Sequence, residues 1–281
     1  LHTRLGKSEA AEGAFRRAVA LDTEEPLPYY YLATHALADE TARRSHGDAE
    51  GATALSVIRS HLHSAIAKAI RKGDMVRMQA ARAVSGKKDS LSETDLEALG
   101  ELSEAAEEPR HILRDSIALL ERSFDDPQAF MDDLERLQRW YPHNLDLGMA
   151  LGRLLVETGR LEEARRHWTA LIEEFPTAAD AHMGMADALM ALDDAEAARV
   201  AYRRARDLAP EKPEIYDALR ALHEAAERTE SLVDWYRELY ARERGNVVLL
   251  DALASLEEEL GYTEEAELHR RRARRIREAR Q

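Results

Sequence analysis

Two short stretches of this 281-residue chain contain residue types that can bind phosphate or metal ions. Around Gly86, a phosphate-binding Walker loop would need another glycine five residues earlier and a serine or threonine two residues later. Ala81 and Lys88 stand there instead. His61 and His63 are two residues apart on a predicted helix, so they point to different faces and cannot bind one metal ion together. Neither stretch therefore predicts a phosphate or metal site.

Motifs of catalysis are missing from the sequence as well. It contains no His-Glu-x-x-His pair, no Gly-x-Ser-x-Gly elbow and no Gly-x-Gly-x-x-Gly turn, which are the motifs of zinc peptidases, of hydrolases and of dinucleotide-binding enzymes. The chain has no cysteine, which excludes disulfides and thiolate metal sites. We therefore expect no catalytic residue, no metal ion and no cofactor, and predict that the chain is not an enzyme.

Arginines are concentrated near the end of the chain. Such a basic helix could bind the phosphates of nucleic acid or anionic lipid. Glu267 and Glu278 flank it, however, and it has few aromatic or apolar companions, so we expect a solvated helix face. The arginines are Arg270, Arg271, Arg272, Arg274, Arg275, Arg277 and Arg280.

The chain as a whole is acidic, with a net charge of -14. This charge argues against general nucleic-acid binding and favours basic partners, although a solvated helical array can be acidic without any partner. No stretch approaches the length of apolar sequence that would insert into a membrane. The sequence therefore predicts a protein or peptide partner, with no nucleic acid and no membrane insertion.

A pattern that repeats every 34 residues must position any site. A small turn residue, a small helix residue, an aromatic, an apolar residue and a proline recur in the same order. In the first copy these are Gly159, Ala164, Trp168, Leu171 and Pro176; in the second they are Asp193, Ala198, Tyr202, Ala205 and Pro210. Two further copies keep the register with weaker matches, at Glu227, Leu232, Tyr236, Leu239 and Arg244, and at Gly261, Ala266, Arg270, Ala273 and Glu278.

This pattern resembles the tetratricopeptide repeat, a helix-turn-helix unit. Leu151 and Gly152 match the Leu-Gly pair of the family's first helix, and Met185 and Ala186 follow in the next copy. The resemblance is strongest over 145–210, stays in register to about 279, and is divergent before 145. It implies an all-α fold, a right-handed superhelical solenoid of antiparallel helix pairs in which stacked neighbours bury a continuous core.

The N-terminal part departs from the pattern, so we divide the chain at about residue 110. Residues 1–110 are predicted to be divergent repeats with an inserted loop at about 39–51, and residues 111–281 a regular array. Within the first part we expect helices at about 52–71 and 74–84, and a third from Ser92 to about Glu107, ended by Pro109. The first recognisable feature, Leu5-Gly6, is already a repeat turn, so we expect more protein upstream.

The resemblance also implies a concave groove lined by the first helix of each pair. Carried over position by position, it gives candidate partner-binding residues at Met149, Arg153, Met183, Asp187, Met190, Asp217, Glu224 and Asp251. Methionines adapt to varied apolar shapes, and carboxylates would select a basic segment. The alternative is that the methionines pack between helices and the acids are merely solvated.

One subtype of the family holds a peptide C-terminal carboxylate with Asn and Lys or Arg from successive first helices. Asn144 and Asn246 both lie at junctions between units and no Lys stands at the matching positions, so that clamp is not expected. The main interpretation is a non-enzymatic protein–protein interaction scaffold that binds a protein or peptide in the groove. The alternative is a C-terminal regulatory or targeting domain of a larger enzyme, whose catalytic domain would lie upstream of residue 1. The chain is expected to be a monomer or to self-associate weakly by end-to-end stacking.

Overall fold

In the computed structural model, residues 8–45, 52–84 and 92–280 are described, and every regular element within those ranges is an α-helix. The predicted all-α class of helix pairs is confirmed. No helix in these ranges is long and apolar enough to cross a membrane. The helices are α1 (Ser8–Ala20), α2 (Leu27–Ser45), α3 (Ala52–Val84), α4 (Glu93–Arg122), α5 (Pro127–Trp140), α6 (Leu145–Glu157), α7 (Leu161–Glu174), α8 (Ala179–Ala191), α9 (Ala195–Leu208), α10 (Pro213–Ala225), α11 (Thr229–Arg242), α12 (Val247–Glu259) and α13 (Thr263–Glu278).

The chain forms two compact units, an N-terminal unit, Leu1–Leu147, and a C-terminal unit, Gly148–Gln281. The predicted division near residue 110 falls inside α4, a continuous helix. In the N-terminal unit, α3 and α4 pack along one another, which ties the residues on both sides of position 110 into one body. The units therefore divide later than the sequence register indicated.

Two helix breaks predicted in the N-terminal unit are wrong. The α3 helix runs through residues 72 and 73 without interruption, and α4 continues through Pro109. Buried apolar residues continue beyond each expected break, with Val76 on α3 and Ile112 and Leu113 on α4. Burial of these side chains outweighs the loss of one backbone hydrogen bond at an internal proline.

The polar stretch that was expected to form an inserted loop is helical in its first half. The α2 helix continues to Ser45, so residues 39–45 are not a loop; residues 46–51 lie outside the described ranges, as does the Leu5-Gly6 turn. Leu37 and Glu40 are both buried on this part of α2, and the Thr41 hydroxyl donates to the Leu37 carbonyl at 2.8 Å. Because this face is buried, α2 remains helical through a mostly polar stretch of sequence.

The C-terminal unit follows the 34-residue register closely. At the turn inside each helix pair, one residue adopts the left-handed backbone conformation. These residues are Gly159 (φ 74°), Asp193 (φ 63°), Glu227 (φ 54°) and Gly261 (φ 85°), each 34 positions after the last. Glycine adopts this conformation without steric cost, and its recurrence at non-glycine positions shows that the whole hairpin geometry repeats.

Close helix packing in this unit depends on Trp168, which is only 1% exposed. Its ring lies against the backbone of both neighbouring first helices, because a Cβ atom added at Gly152 would lie 2.5 Å from the ring and one added at Gly184 would lie 2.3 Å away. The next copy repeats the arrangement with Tyr202, which packs in one core cluster with Ala186 and with the partly buried Ala218. The small and aromatic positions of the repeat thus set how closely these helices approach one another.

Gly184→Ala should destabilise the chain by about 1–3 kcal/mol, because the new methyl group would overlap the Trp168 ring and the helices must move apart. The clash must exceed the gain of about 1 kcal/mol that alanine brings to a helix. Urea unfolding of the whole chain, followed by circular dichroism, measures the difference.

Gly245→Ala is the matched control, since its Cβ would meet only the Arg280 guanidinium at 3.6 Å; a change within about 0.5 kcal/mol is expected there. In a Trp168→Leu background the ring is gone, so Gly184→Ala should lose its cost. If alanine costs as much in that background as in the natural chain, the ring is not what excludes it.

Candidate functional site

Neighbouring residues cover most of the surface of the methionines predicted to line a groove. Met183 is partly buried and packs against the core cluster around Tyr202. Met149 is half-buried, and Met190, with 37% of its surface exposed, is the most open of the three. The helix face was assigned from the repeat register, but the register does not tell how deeply the neighbouring helix covers each position.

Asp187 is exposed, as a groove residue would be, and it also contacts a side chain of the core. Its carboxylate accepts a hydrogen bond from the Tyr202 hydroxyl. Burial raises the pKa of Asp187, while the Tyr202 hydrogen bond opposes that rise. Burial and the neighbouring carboxylate also raise the pKa of Tyr202. Asp187 is therefore the structural partner of a core tyrosine. Two other predicted residues lie on the exterior, Arg153 exposed and Glu224 3.5 Å from Arg220.

The structure does bring together two of the predicted acids, Asp217 and Asp251. They line a cavity of about 400 Å³ between the first helices α10 and α12, which we call the α10–α12 cavity. Its apolar walls include Tyr216, Val248 and Ala252. Its polar lining is Asp217, Arg220, Tyr236, Asp251, Ser255 and Arg277.

The charges in this cavity are mixed, which differs from the acidic groove expected from the sequence. Asp251 pairs with Arg277 from α13, and Arg220 lies 3.2 Å from Glu259. Within the described part of the chain, the Asp217 carboxylate makes neither an ion pair nor a hydrogen bond. Of the cavity's carboxylates, Asp217 is thus the one left available to a partner.

Tyr236 contributes a second polar group without a partner among the described residues. The side chain is 1% exposed, it lines the cavity, and its hydroxyl has no hydrogen-bond partner among the described residues. Burial raises the pKa of Tyr236, and Tyr216 and Asp217 add smaller contributions in the same direction. The phenol is therefore protonated, and its hydroxyl is buried beside the cavity. Buried polar groups without partners are uncommon and are costly to maintain.

The sequence could have indicated that the Tyr236 hydroxyl lacks a partner. The pattern of small and aromatic positions alone does not show this. Tyr236 is the repeat equivalent of Tyr202, 34 positions later, and the equivalent of Asp187 is Ala221. The acid that accepts from the tyrosine hydroxyl in one unit is therefore absent in the next. Comparing polar pairs between repeats would have identified the position.

The two asparagines at unit junctions are structural. The Asn144 side chain accepts from the Leu147 backbone N–H at 3.0 Å, and Asn246 accepts from the Leu249 N–H at 3.0 Å, so both cap the helix that follows. Asn246 also donates to the Pro210 carbonyl at 3.0 Å. These contacts account for both residues without a peptide carboxylate.

A second polar cavity, of about 590 Å³, lies in the N-terminal unit. His63 on α3 contacts Asp133 on α5 with 2.6 Å between Nε2 and Oδ2, and Arg136 pairs with the same carboxylate. Arg59 donates to the Ser123 carbonyl and stacks over the Phe124 ring at 3.8 Å. The charged groups named in this cavity thus contact other groups of the N-terminal unit. Among the residues that the structure describes, no group of three His, Asp or Glu side chains could hold a metal ion.

Comparisons with known proteins agree with the repeat architecture. A tetratricopeptide repeat family model matches residues 149–213, which contain the two strongest copies of the pattern. No curated protein sequence matches the chain.

Solved structures with similarity to the chain include three proteins at low identity. The match to the crystal structure of MamA is 18% identical, covers 57% of this chain and 94% of that protein, and has a TM-score of 0.39. The match to TTC0263, a thermophilic TPR protein in Thermus thermophilus, is 18% identical, covers 57% of this chain and 86% of that protein, and has a TM-score of 0.38. The match to MamA 41-end from Desulfovibrio magneticus RS-1 is 13% identical, covers 59% of this chain and 94% of that protein, and has a TM-score of 0.39.

The repeat-equivalent tyrosines give a stability test of the cavity. Tyr236→Phe removes a buried hydroxyl that has no partner, so the free energy of unfolding should stay the same or rise by up to about 1 kcal/mol. Tyr202→Phe removes a hydrogen bond to Asp187 and should cost about 1 kcal/mol. Urea unfolding at neutral pH measures both. A loss for Tyr236→Phe as large as for Tyr202→Phe would mean that the Tyr236 hydroxyl is satisfied.

Proposed function

We propose that this chain, in which residues 149–213 match a tetratricopeptide repeat family model, is a non-enzymatic scaffold that binds a segment of a partner protein in the α10–α12 cavity. Arrays of stacked helix pairs are typical of protein–protein interaction scaffolds, because they present extended binding surfaces. One observation carries the proposal: the cavity holds a buried Tyr236 hydroxyl and an Asp217 carboxylate, neither of which has a hydrogen-bond partner among the described residues.

These two groups define the chemistry of the partner segment. The Tyr236 phenol would donate to an acceptor such as a backbone carbonyl of the segment. The Asp217 carboxylate would pair with a Lys or Arg side chain. An apolar side chain of the segment would pack on Tyr216, Val248 and Ala252. At about 400 Å³, the cavity lies in the range of roughly 300–1,000 Å³ typical of ligand pockets.

The other charges of the cavity do not oppose a basic segment. Arg277 is neutralised by Asp251, and Arg220 lies near both Glu224 and Glu259. Asp217 is therefore the charge whose pairing would change when a partner binds. The sequence predicted an acidic groove. The site proposed here has instead a single available carboxylate, Asp217, beside an apolar pocket.

Selection of a random peptide library against the whole chain tests the proposal. The recovered peptides should combine a basic residue with a neighbouring apolar residue. Asp217→Asn should weaken binding of such a peptide about fivefold, since one ion pair at a partly exposed site contributes about 1 kcal/mol. Fluorescence anisotropy with the labelled peptide measures the affinity.

Tyr236→Phe should also weaken peptide binding by a similar factor. The free energy of unfolding of the chain should not fall. The matched control is Tyr202→Phe, which changes the equivalent tyrosine of the neighbouring repeat and should leave peptide affinity unchanged. Recovered peptides that bind all three variants as tightly as the natural chain would place the binding surface elsewhere, and failure to recover any peptide would count against a peptide-binding cavity.

A further inference from the structure

The C-terminal unit contains a further cleft, separate from the α10–α12 cavity. It lies between α11 and α13, which are the second helices of neighbouring pairs. It has a volume of about 520 Å³ and is lined by Arg237, Arg244, Arg272, Arg275, Tyr240 and Ile276; we call it the arginine cleft. In a chain with a net charge of -14, four arginines converge there around an aromatic ring and an aliphatic side chain. The C-terminal arginines were expected to be solvated, with few aromatic companions, and this aromatic companion, Tyr240, comes from a different helix.

Most other arginines of α13 are paired with acids. Arg270 contacts Glu258, Arg271 contacts Glu267 at 2.7 Å, and Arg277 contacts Asp251. The positive charges of these three are thus offset by neighbouring carboxylates. The arginine cleft therefore differs from the rest of the helix that forms one of its walls.

Of the four arginines that line the cleft, only one forms an ion pair with a carboxylate in the described ranges. The Arg237 guanidinium lies 2.9 Å from Glu257, which is 0% exposed. Arg244, Arg272 and Arg275 form no ion pair with any acid in the described ranges. Arg272 lies over the Tyr240 ring, 5.9 Å from its centroid. The C-terminal end of α13 offsets part of the repulsion at Arg275, but three uncompensated guanidinium groups still share one cleft.

We propose that the arginine cleft binds an acidic segment of a partner protein. Guanidinium groups match carboxylates in a planar, two-pronged geometry, and Tyr240 and Ile276 provide an apolar floor for the stem of a glutamate or for a neighbouring apolar side chain. The site lies on α11 and α13, so it does not depend on the function proposed for the α10–α12 cavity.

Several features favour a short peptide over other anions. A cleft of about 520 Å³ is much larger than a single phosphate group needs. A membrane surface or a nucleic acid presents negative charge over a large area, which would meet the repulsion of the rest of this acidic chain. A short segment meets only the local positive potential, because the distant charges are screened within about 8–10 Å at physiological salt.

The test uses the whole chain and a fluorescein-labelled peptide of alternating glutamate and leucine, read by fluorescence anisotropy. The triple variant Arg244→Gln, Arg272→Gln, Arg275→Gln should weaken binding about tenfold, because three exposed ion pairs to the peptide are lost together. The matched control is Arg270→Gln, Arg271→Gln, Arg274→Gln. It removes the same net charge from the same region but leaves the cleft intact, so it should change affinity less than about twofold.

Four results would overturn the proposal. Equal losses in both triple variants would assign the effect to net charge alone. Equal binding of a peptide with glutamine in place of glutamate would exclude carboxylate recognition. Displacement of the peptide by millimolar inorganic phosphate would indicate a site for small oxyanions, and binding to phosphatidylserine vesicles that the cleft variant abolishes would indicate a membrane site. Circular dichroism should show that both variants remain helical, and Asp217→Asn should leave affinity for the acidic peptide unchanged.

Discussion

The C-terminal unit depends on one packing constraint, an aromatic ring held between two helix backbones. Trp168 fills the space between Gly152 and Gly184, and the ring fits there because neither position has a side chain. Once that contact is made, the spacing of α6, α7 and α8 is determined, and the next pair stacks by repeating it with Tyr202 and alanines. Stability in such an array comes from interfaces between neighbours, so each aromatic position sets both the fold and the surface beside it.

Small variations within that constraint create the candidate site. In one repeat the core tyrosine hydroxyl is satisfied by Asp187. In the next, alanine stands at the equivalent position, and the buried Tyr236 hydroxyl, beside the cavity, has no partner among the described residues. A repeat scaffold can thus gain a polar recognition site by losing one internal hydrogen-bond partner, because the neighbouring units continue to hold the ring in place.

The sequence predicted the C-terminal unit well and the N-terminal unit poorly, for physical reasons. The 34-residue register identified the turns, confirmed by the left-handed residues at Gly159 and Gly261, because the same side chains do the same packing in each copy. In the N-terminal unit, breaker residues such as Pro109 suggested helix ends that tertiary burial overrides. For the site, the register placed Asp217 and Asp251 on successive first helices, and both line one cavity. It could not show that Met183 is covered, nor that Tyr240 would join arginines from another helix, since both depend on contacts between elements.

The most direct test of the α10–α12 cavity is a titration of the chain, labelled with ¹³C in its tyrosine rings, with a peptide that combines basic and apolar residues. Tyr236 and Tyr216 would be assigned by substitution with phenylalanine. We expect the ring signals of these two residues to shift together as peptide is added, while Tyr29 in the N-terminal unit stays in place. Shifts confined to Tyr240, or to any ring outside the cavity, would contradict binding in the cavity and move the recognition surface away from α10 and α12.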